Sequence, residues 1–160
     1  MIIRLNESTL PLALDFRYRM FVDAGNDHHL AVDWRELTHA FYFNGYRNGS
    51  CAHFGWQENG AIVATAGALI RSDFPSFTLK ARRYGWIMDV YVVPEYRRRG
   101  LARQLTRHAI EWLREKGVVV VQLTASDEAK KAGLYESLGF TPSNEMRLRL
   151  DEFIPAKTSV

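Results

Sequence analysis

The chain has 160 residues, of which 47% are apolar, and its formal net charge is +3. This length suits a single domain over residues 1–160, since two domains of this total length would each be marginal. The 21 basic residues are interspersed with 18 acidic ones, and the one dense basic cluster is Arg97-Arg98-Arg99. We therefore expect a local anion site and no nucleic-acid partner, which would need a longer basic stripe.

The cysteine content and the hydropathy of the chain further limit the class of protein that it can be. The single cysteine, Cys51, excludes an internal disulfide framework and a multi-cysteine metal site. The first residues meet a charge before any long apolar run, unlike a signal peptide. No apolar stretch approaches the ~20 residues that cross a bilayer. We expect a cytoplasmic protein with no membrane partner and no metal.

The first half of the chain predicts a short strand and two helices. The strand covers residues 2–5, and the first helix covers residues 11–24 with Ser8 or Thr9 as its cap. Apolar residues four apart mark the buried face of this helix: Leu12, Phe16 and Met20. The second helix begins at a capping box of Asp33 and Glu36 and ends near residue 45.

Strands dominate the middle of the chain. Two are predicted over residues 51–57 and 61–70, joined by Asn59-Gly60, a strong signal for a tight hairpin. After a loop over residues 71–80, a longer strand over residues 84–93 ends at Pro94, because proline cannot donate to a ladder.

The last third alternates helices and strands. A helix over residues 101–116 carries an apolar stripe of Leu101, Leu105, Ala109 and Leu113. The β-branched run at residues 118–121 suits a strand buried on both faces, followed by a helix over residues 128–138 and a strand over residues 145–150. Hairpin-joined strands with one βαβ crossover predict an α/β fold, a mixed, mostly antiparallel sheet with helices on both faces.

The segment Arg97-Arg98-Arg99-Gly100-Leu101-Ala102 lies between a predicted strand and a predicted helix. A helix N-terminus presents unpaired N–H groups and the positive end of the dipole, which favour a phosphate. Gly100 lets the backbone approach a ligand closely, and arginine adds charge-assisted bonds. These residues alone predict either a pyrophosphate cradle or a solvated basic turn. They lack the further residues of a P-loop or a dinucleotide fingerprint.

Two motifs together resemble the GCN5-related N-acetyltransferase superfamily. MDVYVVPEYRRRGLA at residues 88–102 is similar to its acetyl-CoA motif, in which a strand and a Pro-x-Tyr turn lead into Arg/Gln-x-x-Gly-x-Gly/Ala. LYESLGF at residues 134–140 is similar to its second signature, Leu-Tyr-Glu-x-x-Gly-Phe. The resemblance implies the acyl-CoA N-acyltransferase fold and acetyl-CoA as cosubstrate.

The resemblance also implies roles for individual residues. The strand before the turn splays from its neighbour and pairs with the pantetheine arm, a role that falls on Val90, Tyr91 and Val92. The pyrophosphate N–H groups correspond to Arg98, Arg99, Gly100, Leu101, Ala102 and Arg103, and Arg97 belongs to the same motif. Tyr135 matches the tyrosine that protonates the leaving thiolate, and a phenol with a pKa near ~10 is a suitable acid for that step. The alternative for Tyr135 is a packing role alone.

Some positions depart from the family pattern or remain open. Where many members carry an asparagine that binds pantetheine, this chain has Glu128, so the contact is lost or made by Ser126. Asp89 lies where some relatives carry an acidic residue, and it either accepts the proton of the amine, directly or through water, or is a satisfied polar residue of the sheet. The region after the first helix is acidic, which would attract a cationic amine; its residues are Asp23, Asp27, Asp33 and Glu36.

These observations predict an enzyme that transfers acetyl from acetyl-CoA to a primary amine of a small molecule or peptide. The amine attacks the thioester directly, because the lone Cys51 is far from both motifs. The alternative is a non-catalytic acyl-CoA sensor or interaction module on the same fold, since fold does not fix function. We expect a monomer or homodimer.

Overall fold

The computed structural model describes residues 1–72 and 83–143, which contain one five-stranded sheet. The strands follow chain order: β1 (Ile2–Arg4), β2 (Cys51–Glu58), β3 (Ala61–Ser72), β4 (Arg83–Val92) and β5 (Val121–Gln122). The first three pairs are antiparallel, and β4 and β5 are parallel. The predicted mixed, mostly antiparallel sheet is confirmed.

Helices cover both faces of this sheet, as predicted. They are α1 (Leu10–Asp23), α2 (Trp34–Asn48), α3 (Leu101–Glu115) and the short α4 (Asp127–Lys131). One core lies between α3 and the sheet and includes Phe54, Ile87 and Leu105. A second core lies under α1 and α2 on the opposite face and includes Leu14, Tyr42 and Cys51. Among the described helices, none is long and apolar enough to span a membrane.

The apolar stripe of α3 is buried as its spacing predicts. Its four members are each no more than 4% exposed: Leu101, Leu105, Ala109 and Leu113. Burying a leucine side chain stabilises a fold by roughly 1.5–3 kcal/mol. This packing fixes α3 on the sheet and so fixes the position of its N-terminus.

The tight hairpin between β2 and β3 is also confirmed. Asn59 and Gly60 have φ values of 51° and 79°, the left-handed conformation that a two-residue hairpin of this kind requires. The hairpin sets the register in which Glu58 faces Ala61 and Gln57 faces Ile62, and an irregularity between Trp56 and Gln57 then shifts it so that Trp56 faces Ala64.

Several local predictions for the first two helices are wrong. Thr9 precedes α1 without a capping side-chain bond, and Asn6 instead caps a preceding 3-10 turn. The same holds for α2, where the Asp33 side chain makes no cap bond. The buried face of α1 keeps Phe16 but is otherwise shifted, and its buried residues are Leu10, Ala13, Leu14 and Phe16.

Gly45 does not end α2, which continues to Asn48 and stops at Gly49, with φ 74°. A Cβ at Gly45 would lie 2.5 Å from the Cβ of Cys51. This glycine therefore allows α2 to pack closely on β2.

The segment after α3 differs most from its predicted form. Only Val121–Gln122 forms a strand, and Val119 is 74% exposed, so the valine run is not buried on both faces. The single helix predicted over residues 128–138 is instead α4 followed by a 3-10 turn, Glu136–Leu138, with Gly133 between them at φ 61°. The strand predicted at residues 145–150 lies outside the described residues.

Candidate active site

The parallel strands β4 and β5 pair over only a short distance. Gly85 pairs with Val121 and Trp86 with Gln122, and the Gly85 N–H donates to the Val120 carbonyl at 2.9 Å. Beyond Trp86, β4 continues to Val92 with no further β5 partner among the described residues. Among the described residues, the edge of β4 beyond Trp86 is therefore open, as the expected splay requires.

Strand alternation shows which backbone groups face this open edge. The Val93 N–H donates to the Val63 carbonyl of β3 at 3.0 Å. Because successive residues of a strand direct their backbone groups to opposite sides, those of Tyr91 also face β3, and those of Val90 and Val92 face the open edge. The Nε of Arg97 donates to the Val92 carbonyl at 3.0 Å, which agrees with this orientation.

The turn from β4 into α3 presents a run of free amide donors. After the 3-10 turn Pro94–Tyr96, Arg98 and Gly100 adopt φ values of 62° and 76°, and α3 begins at Leu101. Within the described ranges, no backbone N–H of residues 98–103 donates to a backbone or side-chain acceptor. A Cβ at Gly100 would have only the Gln104 amide within 4 Å, at 3.9 Å, so the surface above it is open. Such a concave set of amides binds an anion.

The arginine side chains of this turn are largely paired with protein groups. Arg97 forms an ion pair with Asp23, and Arg99 forms one with Glu58 at 2.9 Å. In the described part of the molecule, Arg98 has no ion-pair partner. Anion binding here would therefore depend mainly on backbone amides, with Arg98 as the unpaired charge.

Tyr135 lies in the segment that follows α4, close to the start of α3. The Nε of Arg103 donates to Ser137 Oγ at 3.0 Å, which joins the first turn of α3 to this segment. Tyr135 is 9% exposed, and its ring packs edge-on against Phe140, with 5.9 Å between centroids. Burial raises the pKa of the Tyr135 phenol above its ordinary value, so the proton is retained at neutral pH.

Asp89 is buried inside the sheet rather than exposed at its edge. Its side chain is 1% exposed and accepts hydrogen bonds from Arg17 at 2.5 Å, from the Tyr42 hydroxyl and from His53 Nε2 at 2.9 Å. Burial alone would raise the pKa of Asp89, but the His53 hydrogen bond and the charges of His53 and Arg17 outweigh it and hold the pKa below its usual value. This environment favours the satisfied polar residue over a direct proton acceptor.

Sequence reasoning missed the three partners of Asp89. Arg17 and Tyr42 sit on α1 and α2, and no spacing connects them to β4. His53 was the detectable one, because it interrupts the apolar strand β2 between Ala52 and Phe54. A polar side chain at a buried strand position needs a partner, so it signals a buried network.

Other predicted contributors are already engaged. Asp23, the acidic residue nearest the turn, is paired with Arg97 and accepts from the Tyr91 hydroxyl at 3.3 Å. Ser126 caps α4, its Oγ accepting the Ala129 N–H at 3.2 Å. Cys51 is fully buried, and burial together with the charge of Asp89 raises the pKa of its thiol to about 12, so it is unsuited to act as a nucleophile.

Comparison with known proteins agrees with this geometry. The sequence model of the acetyltransferase (GNAT) family matches residues 14–140. The chain belongs to this family. The match includes both motifs and extends back into α1 of this GNAT chain.

Two curated GNAT relatives are similar over part of their length. A glucosamine 6-phosphate N-acetyltransferase of Trypanosoma brucei brucei is 40% identical over 95 residues, 59% of this chain and 60% of that protein. A [ribosomal protein bS18]-alanine N-acetyltransferase of Salmonella typhimurium is 38% identical over 72 residues, 44% of this chain and 47% of that protein. The chain thus matches about half to three fifths of these relatives.

The fold itself is shared over almost the whole chain. The crystal structure of a predicted acetyltransferase from Clostridium acetobutylicum with acetyl-CoA superposes with a TM-score of 0.86 and 23% identity. It covers 96% of this chain and 97% of that one. At this identity the likeness establishes the GNAT fold alone.

Proposed function

We propose that this protein transfers an acetyl group from acetyl-CoA to a primary amine of a small molecule or peptide. The observation that carries the proposal is the continuous binding surface formed by the open edge of β4 and the free amides of residues 98–103. An extended polar chain that ends in a pyrophosphate fits this surface, and acetyl-CoA has that form. Family membership supports the same cosubstrate.

Pantetheine would pair with the open edge of β4 as an added strand does. Val90 and Val92 direct backbone groups to that edge, and the Tyr91 backbone keeps β4 attached to β3. The pyrophosphate would then lie on the amides at the start of α3, stabilised by the helix dipole. Arg98 adds the unpaired charge, while Arg97 and Arg99 contribute through the shape of the turn.

The reaction proceeds by direct attack. The acceptor ammonium first gives a proton to water, and the lone pair of the resulting amine attacks the thioester carbon, which places negative charge on the carbonyl oxygen. The Val90 N–H at the open edge donates to that oxygen. When the intermediate collapses, the C–S bond breaks and the Tyr135 phenol protonates the CoA thiolate. The former amine nitrogen gives its remaining extra proton to solvent, and the Tyr135 phenolate takes one back from solvent, which leaves a neutral amide, free CoA and the original enzyme. Proximity of the two bound substrates supplies much of the remaining acceleration.

The acceptor is proposed only as a class. The two curated relatives are named for a sugar phosphate amine and for the alanine of a ribosomal protein, which have a primary amine in common. We further propose that residues 1–160 act as one domain, in the cytoplasm, as a monomer or homodimer without metal, membrane or nucleic acid. Light scattering on the purified chain tests the oligomeric part, and a hexamer or larger assembly would contradict it.

The decisive experiment is an amine panel scored by release of free CoA thiol. Amino sugars, polyamines, amino acids and peptides with free N-termini are each incubated with acetyl-CoA and the full chain. The proposal expects thiol release that depends on one class of amine, with the acetylated product identified by mass spectrometry. Acetyl-CoA binding without turnover on any of these amines would favour the sensor. No acetyl-CoA binding at all would refute both functions.

A further inference from the structure

One carboxylate joins four elements of the fold. Asp89 on β4 accepts from Arg17 of α1, Tyr42 of α2 and His53 of β2. Tyr46 of α2 extends the network, its hydroxyl lying 2.9 Å from His53 Nδ1. Both His53 and Asp89 are almost fully buried, at 0% and 3% exposure. A buried charge with this many dedicated donors is a specific arrangement, because each polar group would be unfavourable there alone.

The hydrogen-bond network around Asp89 lies at the irregular point in the pairing of β4 with β3. Between β3 and β4, Thr65 pairs with Tyr91 but Gly67 pairs with Met88, so two residues of β4 lie opposite Ala66. Those two residues are Asp89 and Val90, which form a β-bulge. Asp89 has a φ of 53°, which a residue other than glycine rarely adopts.

The bulge changes which residues face each core. Before it, Ile87 lies in the α3 core and Met88 packs against the α1–α2 core. Regular alternation would return residue 89 to the α3 side. Instead the Asp89 carboxylate points toward α1 and α2, and Val90 packs against the α3 core. The turned carboxylate and the shifted Val90 are thus two consequences of one backbone irregularity.

The sheet also makes room for the network. A Cβ at Gly67 would lie 2.7 Å from His53 Nε2, so only glycine allows the imidazole to reach Asp89. The Thr65 hydroxyl donates to the Asp89 carbonyl at 3.0 Å and holds the bulge from the β3 side. Asp89 is therefore fixed both through its side-chain carboxylate and through its backbone carbonyl.

We propose that Arg17, Tyr42 and His53 are positioning residues that, by holding the Asp89 carboxylate, fix the β4 bulge and so set the direction of the Val90 N–H. This inference rests on the proposed function, in which that N–H donates to the thioester carbonyl. It assigns Asp89 a task that needs no contact with substrate. The rate then depends on side chains that lie on the opposite face of the sheet from α3.

The test removes single donors and leaves the Asp89 carboxylate in place. Tyr42→Phe keeps the ring, His53→Leu removes the imidazole, and His53→Gln offers an amide donor that can partly restore the bond. We expect the turnover number to fall by about 10- to 10²-fold in Tyr42→Phe and His53→Leu, since a misplaced oxyanion donor loses transition-state stabilisation. Acetyl-CoA affinity should stay within about twofold of wild type, and His53→Gln should recover part of the rate.

A control separates positioning from general loss of stability. Leu113→Val lies in the last turn of α3 and is buried in the α3 core, where a Cβ at Gly85 would meet its side chain, so it loosens packing without touching the network or the residue opposite the bulge. It should lower the melting temperature and leave the turnover number of the folded enzyme unchanged. If Tyr42→Phe and His53→Leu behave like Leu113→Val, with lower melting temperature and normal turnover, the network is only structural and the proposal fails.

A spectroscopic readout works without knowledge of the acceptor. The carbonyl stretch of bound [1-¹³C]acetyl-CoA should shift to lower frequency in the wild type, because the Val90 N–H polarises the bond, and shift less in Tyr42→Phe. Equal shifts in both proteins would overturn the proposal. An Asp89→Asn variant that alone loses activity, with a pH-dependent deficit, would instead make Asp89 the base. Failure of the wild type to bind acetyl-CoA would be a failure of the proposed function.

Discussion

Replacing Tyr135 with phenylalanine tests the proposed acid at one atom. Tyr135 is 9% exposed, and its contact with Phe140 is an edge-on contact between the two rings. Among the described residues, no group hydrogen-bonds that hydroxyl. Tyr135→Phe should therefore change the free energy of unfolding by no more than about 0.5 kcal/mol, because no hydrogen bond is lost.

The expected effect on catalysis is much larger. If the phenol protonates the departing thiolate, the turnover number should fall by roughly 10²-fold or more, about 2.7 kcal/mol of lost transition-state stabilisation. Acetyl-CoA affinity should barely change. Burial raises the pKa of Tyr135, so the wild type should lose no activity from this group until the pH exceeds about 10.

The assay must be run where chemistry limits the rate, as judged by single-turnover measurements of thiol release. Acyl donors with more acidic thiols need less protonation, so the deficit of Tyr135→Phe should shrink with them. Tyr84→Phe is the matched control, since Tyr84 is 8% exposed and lies near the start of β4. Wild-type turnover in Tyr135→Phe would refute the acid role and leave solvent as the proton source.

Three further predictions follow from the same geometry. Gly100→Val should abolish tight acetyl-CoA binding measured by calorimetry, whereas Gly117→Val, also at φ 76° but at the far end of α3, should share only the backbone strain of roughly 1–2 kcal/mol; equal affinities would contradict the pyrophosphate placement. Gly67→Ala should destabilise the protein by about 1–3 kcal/mol in urea unfolding, because its Cβ meets His53, and a smaller cost in a His53→Ala background would verify the clash. Because the folded pKa of Asp89 lies below its unfolded value, its stabilisation is complete above pH ~4 and is lost as the pH falls through the folded pKa; the difference in melting temperature between wild type and Asp89→Asn should shrink on acidification, and a constant difference from pH 7 to pH 3 would contradict it.

The sequence determined the features that depend on neighbouring residues. The Asn59-Gly60 hairpin and the stripe of α3 are local, because positive φ and a four-residue period are properties of short segments. The anion turn belongs to this group, since the basic run, Gly100 and the helix start are consecutive. Family resemblance then predicted the splay of β4, and the short pairing of Gly85 and Trp86 with β5 agrees with it.

The tertiary structure decided what depends on contacts between distant segments. The sequence pattern predicts helix caps at Thr9 and Asp33. Neither side chain makes a capping hydrogen bond, because the backbone adopts a different conformation where each helix begins. In the sequence, Gly45 suggests the end of a helix. In the folded chain it lies within α2, where it allows close contact with Cys51. The prediction of a strand over residues 118–121 is wrong because only Val121 and Gln122 pair with β4, and Val119 is left exposed.

The candidate site likewise has features that the sequence predicts and features that only the tertiary structure reveals. The motifs were enough to name Tyr135, Asp89 and the amides of residues 98–103 as candidates. They were not enough to predict the burial and the hydrogen bonds of the Asp89 carboxylate. A one-residue bulge reverses the side of the sheet on which a side chain lies, and no pattern of β4 alone reveals it. Only the folded chain brings His53, which is 36 residues away along the sequence, to the same carboxylate, because that contact depends on the register of β2, β3 and β4 together.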